Sequence, residues 1–147
     1  PKSILDLRTT SEMLESFGVL TVGFGTDEMP AFYSRSSGIP VLPVDTVDEV
    51  KNIYKSMDSL DIKSGLMVFN PIPKEYEISN SDVEEWVEKA NIELKENHIS
   101  GKQVTPFLLR KLAEYSNGQT IQSNKILLEN NVLLGCQILK AIESQNE

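Results

Sequence analysis

The pattern of hydrophobic and polar residues alternates along the chain between stretches with helical spacing and shorter apolar runs typical of strands. Five stretches carry apolar residues every three to four positions, which predicts amphipathic helices. Three shorter apolar runs, residues 19–24, 40–44 and 65–69, predict strands. Helices and strands that alternate in this way are typical of the α/β class.

The predicted strands differ in how they should sit in a sheet. Residues 40–44 include Pro40 and Pro43, and proline has no N–H to donate, so we expect this strand at an edge. Residues 65–69 are apolar almost throughout, which is typical of a strand covered on both faces. Three strands make a thin sheet for five amphipathic helices. We therefore expect an α/β/α layered sheet, in one segment over residues 1–147, that is incomplete without further strands.

Capping signals place the helix starts. Thr9, Thr46 and Ser81 are each followed three residues later by glutamate, the pattern of a capping box. Thr105 before Pro106 predicts an N-cap with proline at the first helical position. The last helix should run over about residues 120–144.

Composition narrows the functional classes. The chain has 147 residues with 14 Lys and Arg against 22 Asp and Glu, a net charge of −8, which disfavours binding to nucleic acid. No run of 18 apolar residues exists, so we expect no membrane span. A single cysteine cannot form an internal disulfide, and we expect an intracellular, cytoplasmic protein. The chain opens on Pro1 with no initiator Met, as if it had been cut from a longer one.

Candidate metal and phosphate sites are few. His98 and Cys136 have no ligand-like spacing, and Cys136 is expected to be a small core residue of the last helix. Residues 33–38, Y-S-R-S-S-G, could wrap an anion with one guanidinium and three hydroxyls. A turn whose hydroxyls satisfy its own backbone explains the same pattern.

Two other positions carry possible chemistry. Asn124 and Asn131 fall on one face of the last helix, and an amide on a mostly apolar face needs a hydrogen-bond partner. These amides either tie down a neighbouring loop or point at a ligand. Lys2 precedes an apolar segment, and a desolvated lysine becomes a usable amine nucleophile. A solvated surface charge is the simpler interpretation of Lys2 from pattern alone.

Several longer motifs together resemble one family. They are K-S-I-L-D-L at 2–7, G-T-D-E-M-P-A-F-Y-S-R-S-S-G at 25–38, N-P-I-P at 70–73, G-K at 101–102, T-P-F-L-L at 105–109, and Asn124 with Asn130–Asn131. In register along the whole chain, they resemble pseudouridine-5'-phosphate glycosidase, also called the indigoidine synthase A-like family. The resemblance covers the carboxyl-terminal half of that family's domain.

The resemblance implies an enzyme that reversibly cleaves the C–C glycosidic bond of pseudouridine 5'-phosphate, giving uracil and ribose 5-phosphate. A C-glycoside has no leaving oxygen to protonate, so the usual pair of carboxylates does not suffice. In the family a lysine amine attacks C1' of the opened sugar and forms a Schiff-base adduct. The resemblance places that lysine at Lys2, a sugar-phosphate contact at Asn124, and a neighbour of the site at Asn131.

The resemblance also implies groups that this chain does not supply. The family's general-acid glutamate, a second phosphate-binding lysine and the aspartates that bind a divalent metal, expected to be Mn²⁺, all belong to the amino-terminal half. We expect this chain alone to bind metal and substrate poorly and not to turn over. The family implies a homotrimer and a small-molecule substrate.

Two alternatives remain open. The chain could be a non-catalytic packing or oligomerisation module that keeps the fold without the chemistry. An unrelated Schiff-base enzyme of the aldolase type would differ only in its substrate.

Overall fold

The computed structural model describes residues 6–144, in which helices alternate with the strands of a parallel sheet. The predicted α/β class is confirmed. The elements in chain order are α1 (Leu7–Ser16), β1 (Leu20–Phe24), β2 (Leu42–Val44), α2 (Val47–Ser59), β3 (Leu66–Phe69), α3 (Asn80–Glu96), α4 (Val104–Tyr115) and α5 (Gln119–Glu143). Short 3-10 turns at Lys74–Tyr76 and Gly101–Gln103 precede α3 and α4.

The sheet has the order β2-β1-β3, with both pairings parallel. The register places Val22 of β1 between Leu42 of β2 and Val68 of β3. The prediction of β2 as an edge strand is confirmed. β3 is the other edge strand of the sheet. The prediction that β3 is covered on both faces is wrong for the described residues, because its Met67 is 41% exposed.

One face of the sheet is covered by α2 and α5. Val50 of α2 packs with Val22 and Val44, and Ile138 of α5 joins the same cluster. β-branched residues fit a pleated surface, which explains why the centre of this layer is built of valine. The cluster holds the long helix α5 beside the strands.

The helices α3 and α4 pack mainly on each other. Leu112 of α4 is fully buried against Tyr33, Ile78 and Val83. Ser123 of α5 also donates to the carbonyl oxygen of Tyr76 at 2.9 Å, which ties the first turns of α5 to the 3-10 turn before α3.

A polar cluster joins α3 to α4. The Lys111 ammonium lies 2.8 Å from Glu93 and 2.9 Å from Glu114, and the Tyr115 hydroxyl donates to Glu93. Hydrogen bonds to the two carboxylates raise the pKa of Lys111. Burial, reinforced by the hydrogen bond to Glu93, raises the pKa of Tyr115 to about 12.

The capping predictions are only partly correct. The Thr46–Glu49 capping box is present in both directions at the start of α2. The helices α1 and α3 begin earlier than predicted, because the side chains of Asp6 and Ser79 cap them by accepting from Thr9 N and Asp82 N.

The predicted start of α4 is also wrong. The helix begins at Val104 after a 3-10 turn, so Pro106 is its third residue. Proline is tolerated there because the N–H groups of the first turn have no partner within the helix.

None of the helices within residues 6–144 is both long enough and apolar enough to cross a membrane.

Candidate functional site

A groove of about 460 Å³ runs between α5 and the carboxyl end of β3. Ligands of open parallel sheets bind at this end of the strands. The groove walls are mostly apolar, with two amides and no charged side chain among them. The lining residues are Pro30, Phe32, Met67, Val68, Phe69, Asn70, Leu127, Asn131, Leu134, Gly135 and Ile138.

The two amides of the groove are hydrogen-bonded to each other. Asn70 follows the last residue of β3, and its Nδ2 donates to Oδ1 of Asn131 on α5 at 3.1 Å. The loop-tying interpretation of Asn131 is therefore supported, since the bond holds the residue after β3 against the helix. An amide carries two N–H donors and an oxygen with two acceptor sites, so each side chain keeps capacity for a ligand while this bond is intact.

The loop over residues 28–39 folds around the carboxylate of Glu28. Ser36 Oγ, Ser37 N and Gly38 N all donate to Oε2 of Glu28, the two backbone groups at 3.2 and 2.9 Å. The hydrogen bonds, with that from Ser36 the strongest, lower the pKa of Glu28. The sequence suggested an external anion or self-satisfied hydroxyls here, and the structure shows a carboxylate of the chain itself in the anion's place.

A second carboxylate, Glu77, fastens the same loop from outside. Its Oε1 accepts from Arg35 N at 2.8 Å and from Ser34 Oγ at 3.2 Å. The Arg35 guanidinium in turn donates to the carbonyl oxygen of Ile72 at 2.7 Å, within the N-P-I-P segment. Three of the motifs that carried the resemblance, at 25–38, 70–73 and 130–131, thus meet at one end of the sheet.

Phe32 holds an unusual backbone conformation where it lines the groove. Its φ is 75°, and Tyr33 N donates to Ala31 O at 3.0 Å, which makes Phe32 the centre of a γ-turn with positive φ. Such turns are rare and strained for a bulky residue. Strain of this kind clusters at binding sites and switch regions, so the turn supports a functional role for the groove.

The predicted site residues have three different outcomes. Lys2 lies outside the described residues. Asn131 lines the groove, and Asn124 lies seven residues earlier on α5, exposed and not among the lining residues. The structure therefore places Asn131 and Asn70 together but does not bring Asn124 to them.

Sequence reasoning missed Glu28 and Glu77 as the partners of the loop, and Asn70 as the partner of Asn131. Glu28 lies inside a quoted motif, whereas Glu77 is 42 residues from Arg35 and carries no local signal. The prediction that Cys136 is a core residue is wrong, because Cys136 is exposed.

The described residues do not form a metal site. No group of three or more His, Cys, Asp or Glu side chains within residues 6–144 could hold a metal ion. The resemblance assigns no Mn²⁺ ligand to this chain, because it places the metal-binding aspartates in the amino-terminal half.

The comparison with family models decides the family. The model described as indigoidine synthase A-like protein matches residues 1–141. The chain belongs to the indigoidine synthase A-like family. The groove at which the motifs of residues 25–38, 70–73 and 130–131 meet is therefore the groove of an indigoidine synthase A-like protein.

Curated relatives of this family member carry an enzyme name. A protein of Pseudothermotoga lettingae named pseudouridine-5'-phosphate glycosidase is 46% identical over 97% of this chain and 50% of its own length. A protein of Legionella pneumophila with the same name is 45% identical over 98% of this chain and 46% of its own length. This chain thus spans about half the length of the curated relatives it matches.

Solved structures agree on the fold. An indigoidine synthase A-like protein of Thermotoga maritima aligns with a TM-score of 0.83 and 45% identity, over 97% of this chain and 47% of its own. The prealnumycin C-glycosynthase, solved in complex with ribulose 5-phosphate, aligns with a TM-score of 0.82 and 27% identity, over 96% of this chain and 45% of its own.

Proposed function

We propose that this chain is the carboxyl-terminal half of a pseudouridine-5'-phosphate glycosidase domain. The reaction is reversible cleavage of the C–C glycosidic bond, giving uracil and ribose 5-phosphate. The observation that carries the proposal is the identity of 46% and 45%, over nearly the whole chain, with two relatives of that name. The convergence of the motifs at one groove supports it.

The proposed chemistry is covalent, with Lys2 as the nucleophile. When the furanose opens, the C1'–O4' bond breaks, O4' becomes the C4' hydroxyl as N1 of uracil loses a proton, and C1' becomes doubly bonded to C5 of uracil. The Lys2 amine adds to C1' and restores the uracil ring. The bond between C1' and uracil then breaks as the nitrogen lone pair forms the C1'=N imine and C5 of uracil takes a proton, and water hydrolyses the imine to free ribose 5-phosphate and Lys2. The amine nitrogen supplies the electron pair of the new C1'=N bond and uracil keeps the pair of the broken C–C bond, a route that an ordinary glycoside mechanism does not offer. Because amine attack needs an unprotonated nitrogen, Lys2 must be partly desolvated in the complete site.

The groove is proposed to hold the sugar phosphate. Its volume of about 460 Å³ is in the ordinary range for small-ligand sites. A pentose phosphate bound to the prealnumycin C-glycosynthase, which has the same fold, supports a ligand of that size and class. Asn131 and Asn70 would donate to sugar hydroxyls, and the contact of Asn124 with the sugar phosphate is proposed from the family resemblance alone.

The phosphate charge points to help from outside this chain. No Lys or Arg is among the groove-lining residues, and a buried phosphate needs positive partners. A phosphate-binding lysine in the amino-terminal half would meet this need. The general acid and the Mn²⁺ ligands are proposed to come from the same half, the complete enzyme to be a cytoplasmic homotrimer, and this chain alone to be inactive.

A uracil-release assay tests the proposal. This chain is joined to the half of the Pseudothermotoga lettingae relative that it does not match, and pseudouridine 5'-phosphate is supplied with Mn²⁺. We expect uracil release that Lys2→Ala abolishes and that Asn131→Ala lowers. Lys63→Ala is the matched control, since Lys63 is an exposed lysine that lies in none of the family motifs and does not line the groove, and it should retain activity. A fully active Lys2→Ala protein would contradict the assigned role.

The alternative, a non-catalytic module, has one observation in its favour. Several large apolar residues of α5 are exposed, as expected of a packing surface. A folded, joined protein that binds ribose 5-phosphate but releases no uracil would favour the module.

A further inference from the structure

The two edges of the sheet are built differently. The edge strand β2 has three residues, and Pro43 stands at its centre. Gly25 N donates to Val44 O at 2.8 Å, so Val44 faces β1 and the alternate residue Pro43 faces outward. A proline at this position removes the outward N–H and blunts the edge. Within residues 6–144 the sheet therefore ends at β2.

The edge at β3 has no such protection. Its four residues, Leu66–Phe69, are all apolar and include no proline and no charge. Among the described residues β3 pairs only with β1. Natural proteins rarely leave an apolar edge strand open, because it invites pairing with another chain.

The outward backbone groups of β3 can be identified. Leu20 N donates to Gly65 O at 3.2 Å, and the parallel register pairs Val22 with Val68. In a parallel ladder every second residue bonds to the same neighbour. Met67 and Phe69 therefore bond to β1, and the N–H and C=O groups of Leu66 and Val68 face the open edge.

An apolar stripe of α5 lies beside this edge. It consists of Ile121, Leu128, Val132 and Leu139, which are 64%, 64%, 57% and 55% exposed and lie within an arc of about 40° of the helix. Asn131 and Gly135, which line the groove against β3, lie on the helix between this stripe and the buried Leu127. The stripe is thus on the groove side of α5.

The helix α2, which covers the same face of the sheet as α5, does not cover the groove side of α5. Val50 of α2 packs over β1 and β2, and no α2 residue lines the groove. The α5 stripe therefore faces away from α2, toward the space beside β3. Two surfaces that need covering, the edge of β3 and the α5 stripe, border one space.

We propose that one further apolar β-strand fills this space, and that it belongs to the half-domain by which the relatives exceed this chain. The strand pairs with the outward backbone groups of Leu66 and Val68 and packs its side chains on the α5 stripe. It forms the outer wall of the groove and leaves the space between β3 and Asn131 open to a ligand. The solved relative of Thermotoga maritima holds the same fold in a chain of which this one covers 47%, so a comparable length of chain is available there as an occupant. This inference rests on the shared fold and is independent of the proposed reaction.

A second copy of this chain fits the space less well. Each copy carries a net charge of −8, so two copies repel each other. A symmetric contact between two β3 edges would also pair only four residues on each side. Such a contact is too small for a stable interface.

Hydrogen exchange of a complex tests the inference without any substrate. The chain is co-expressed with the unmatched half of the Pseudothermotoga lettingae relative and purified through a tag on that half. We expect a complex in which the amides of Leu66 and Val68 exchange at least 100-fold more slowly than in the chain alone. The amides of Met67 and Phe69 should change little, since β1 already protects them.

Substitutions on the helix test the second surface. Leu128→Asp with Val132→Asp should weaken the complex at least tenfold. Both side chains are exposed in the chain alone, so its own melting temperature should stay unchanged. Leu60→Asp is the matched control, because Leu60 is 70% exposed but lies outside α5 and β3, and it should leave binding intact.

Three results would overturn the inference. One is the failure of the two halves to co-purify. Another is a complex in which Leu66 and Val68 exchange as they do in the chain alone. The third is a dimer of this chain alone in which those two amides are protected.

Discussion

The substitution Gly135→Ala tests whether the glycine inside α5 serves the groove at a cost to stability. Gly135 lies well inside α5 and lines the groove, and a Cβ added there would meet no heavy atom within 4 Å beyond its chain neighbours and the nearby backbone of its own helix. Glycine in a helix interior costs about 0.5–1 kcal/mol relative to alanine. Gly135→Ala should therefore raise the free energy of unfolding by about 0.5–1 kcal/mol, and Tm by about 1–4 °C for a domain of this size.

Thermal unfolding followed by circular dichroism measures this shift, and Gly23→Ala is the contrasting control. A Cβ on Gly23 would lie 2.4 Å from the carbonyl oxygen of Thr26 and 2.8 Å from Cγ2 of Val41. Thr26 cannot easily yield, because its hydroxyl is hydrogen-bonded to the backbone of Glu28. Gly23→Ala should lower the free energy of unfolding by about 1–3 kcal/mol.

The same pair of variants separates stability from function. In the joined protein the new methyl of Gly135→Ala would occupy part of the groove, so uracil release should fall although the fold is more stable. A lower Tm for Gly135→Ala would refute the packing argument. A more stable variant with full activity would refute the assignment of the groove.

Three further predictions concern the core and the charged clusters. Leu112→Ala should lower the free energy of unfolding by about 2–5 kcal/mol, measured by urea denaturation, because Leu112 is fully buried; an unchanged midpoint would contradict this. The lowered pKa of Glu28 means that the carboxylate stabilises its loop above pH 4.5, the ordinary value, and that this contribution is lost as the pH falls below it. In the native chain, hydrogen exchange at the Gly38 amide, measured relative to an unprotected amide, should therefore become faster as the pH falls below 4.5. The same acceleration in Glu28→Gln would show that the Glu28 carboxylate is not its cause. Tyr115 should titrate by ultraviolet absorbance with a midpoint of about 12, and Glu93→Gln should lower that midpoint, since the Glu93 carboxylate contributes to the shift.

Hydrophobic periodicity was a reliable guide to which elements exist, whereas capping motifs misplaced their ends. Thr46 and Ser81 carry the same local pattern, but only Thr46 is a cap. A competing cap stands shortly before the false one, at Ser79, and another stands at Asp6 before Thr9. Local motifs cannot decide between adjacent caps, because packing of the apolar face fixes how far the helix extends.

The strand β3 shows what a local pattern reports. Its apolar run predicts cover on both faces, and the described residues leave Met67 exposed. The pattern reflects the surroundings in which the strand functions, and the relatives are about twice as long as this chain. The proposed additional strand rests on the open edge of β3 and the exposed α5 stripe, and the apolar run of β3 is consistent with it.

The site was predictable only where its parts carry their own signal. Asn131 is conspicuous as an amide on a helix face, and the pairing with Asn70 follows once the strand and helix are adjacent. Glu77 could not be foreseen, because its contact with Arg35 joins residues 42 positions apart. Contacts of that kind depend on the assembled fold.

The central claim, that Lys2 is the nucleophile, is tested most directly by trapping the adduct. The joined protein is treated with ribose 5-phosphate and borohydride, which reduces an imine to a stable amine, and the labelled peptide is located by mass spectrometry. We predict one labelled site at Lys2, lost in Lys2→Ala and retained in Lys63→Ala. A label that persists in Lys2→Ala, or that maps to another lysine, would contradict the account.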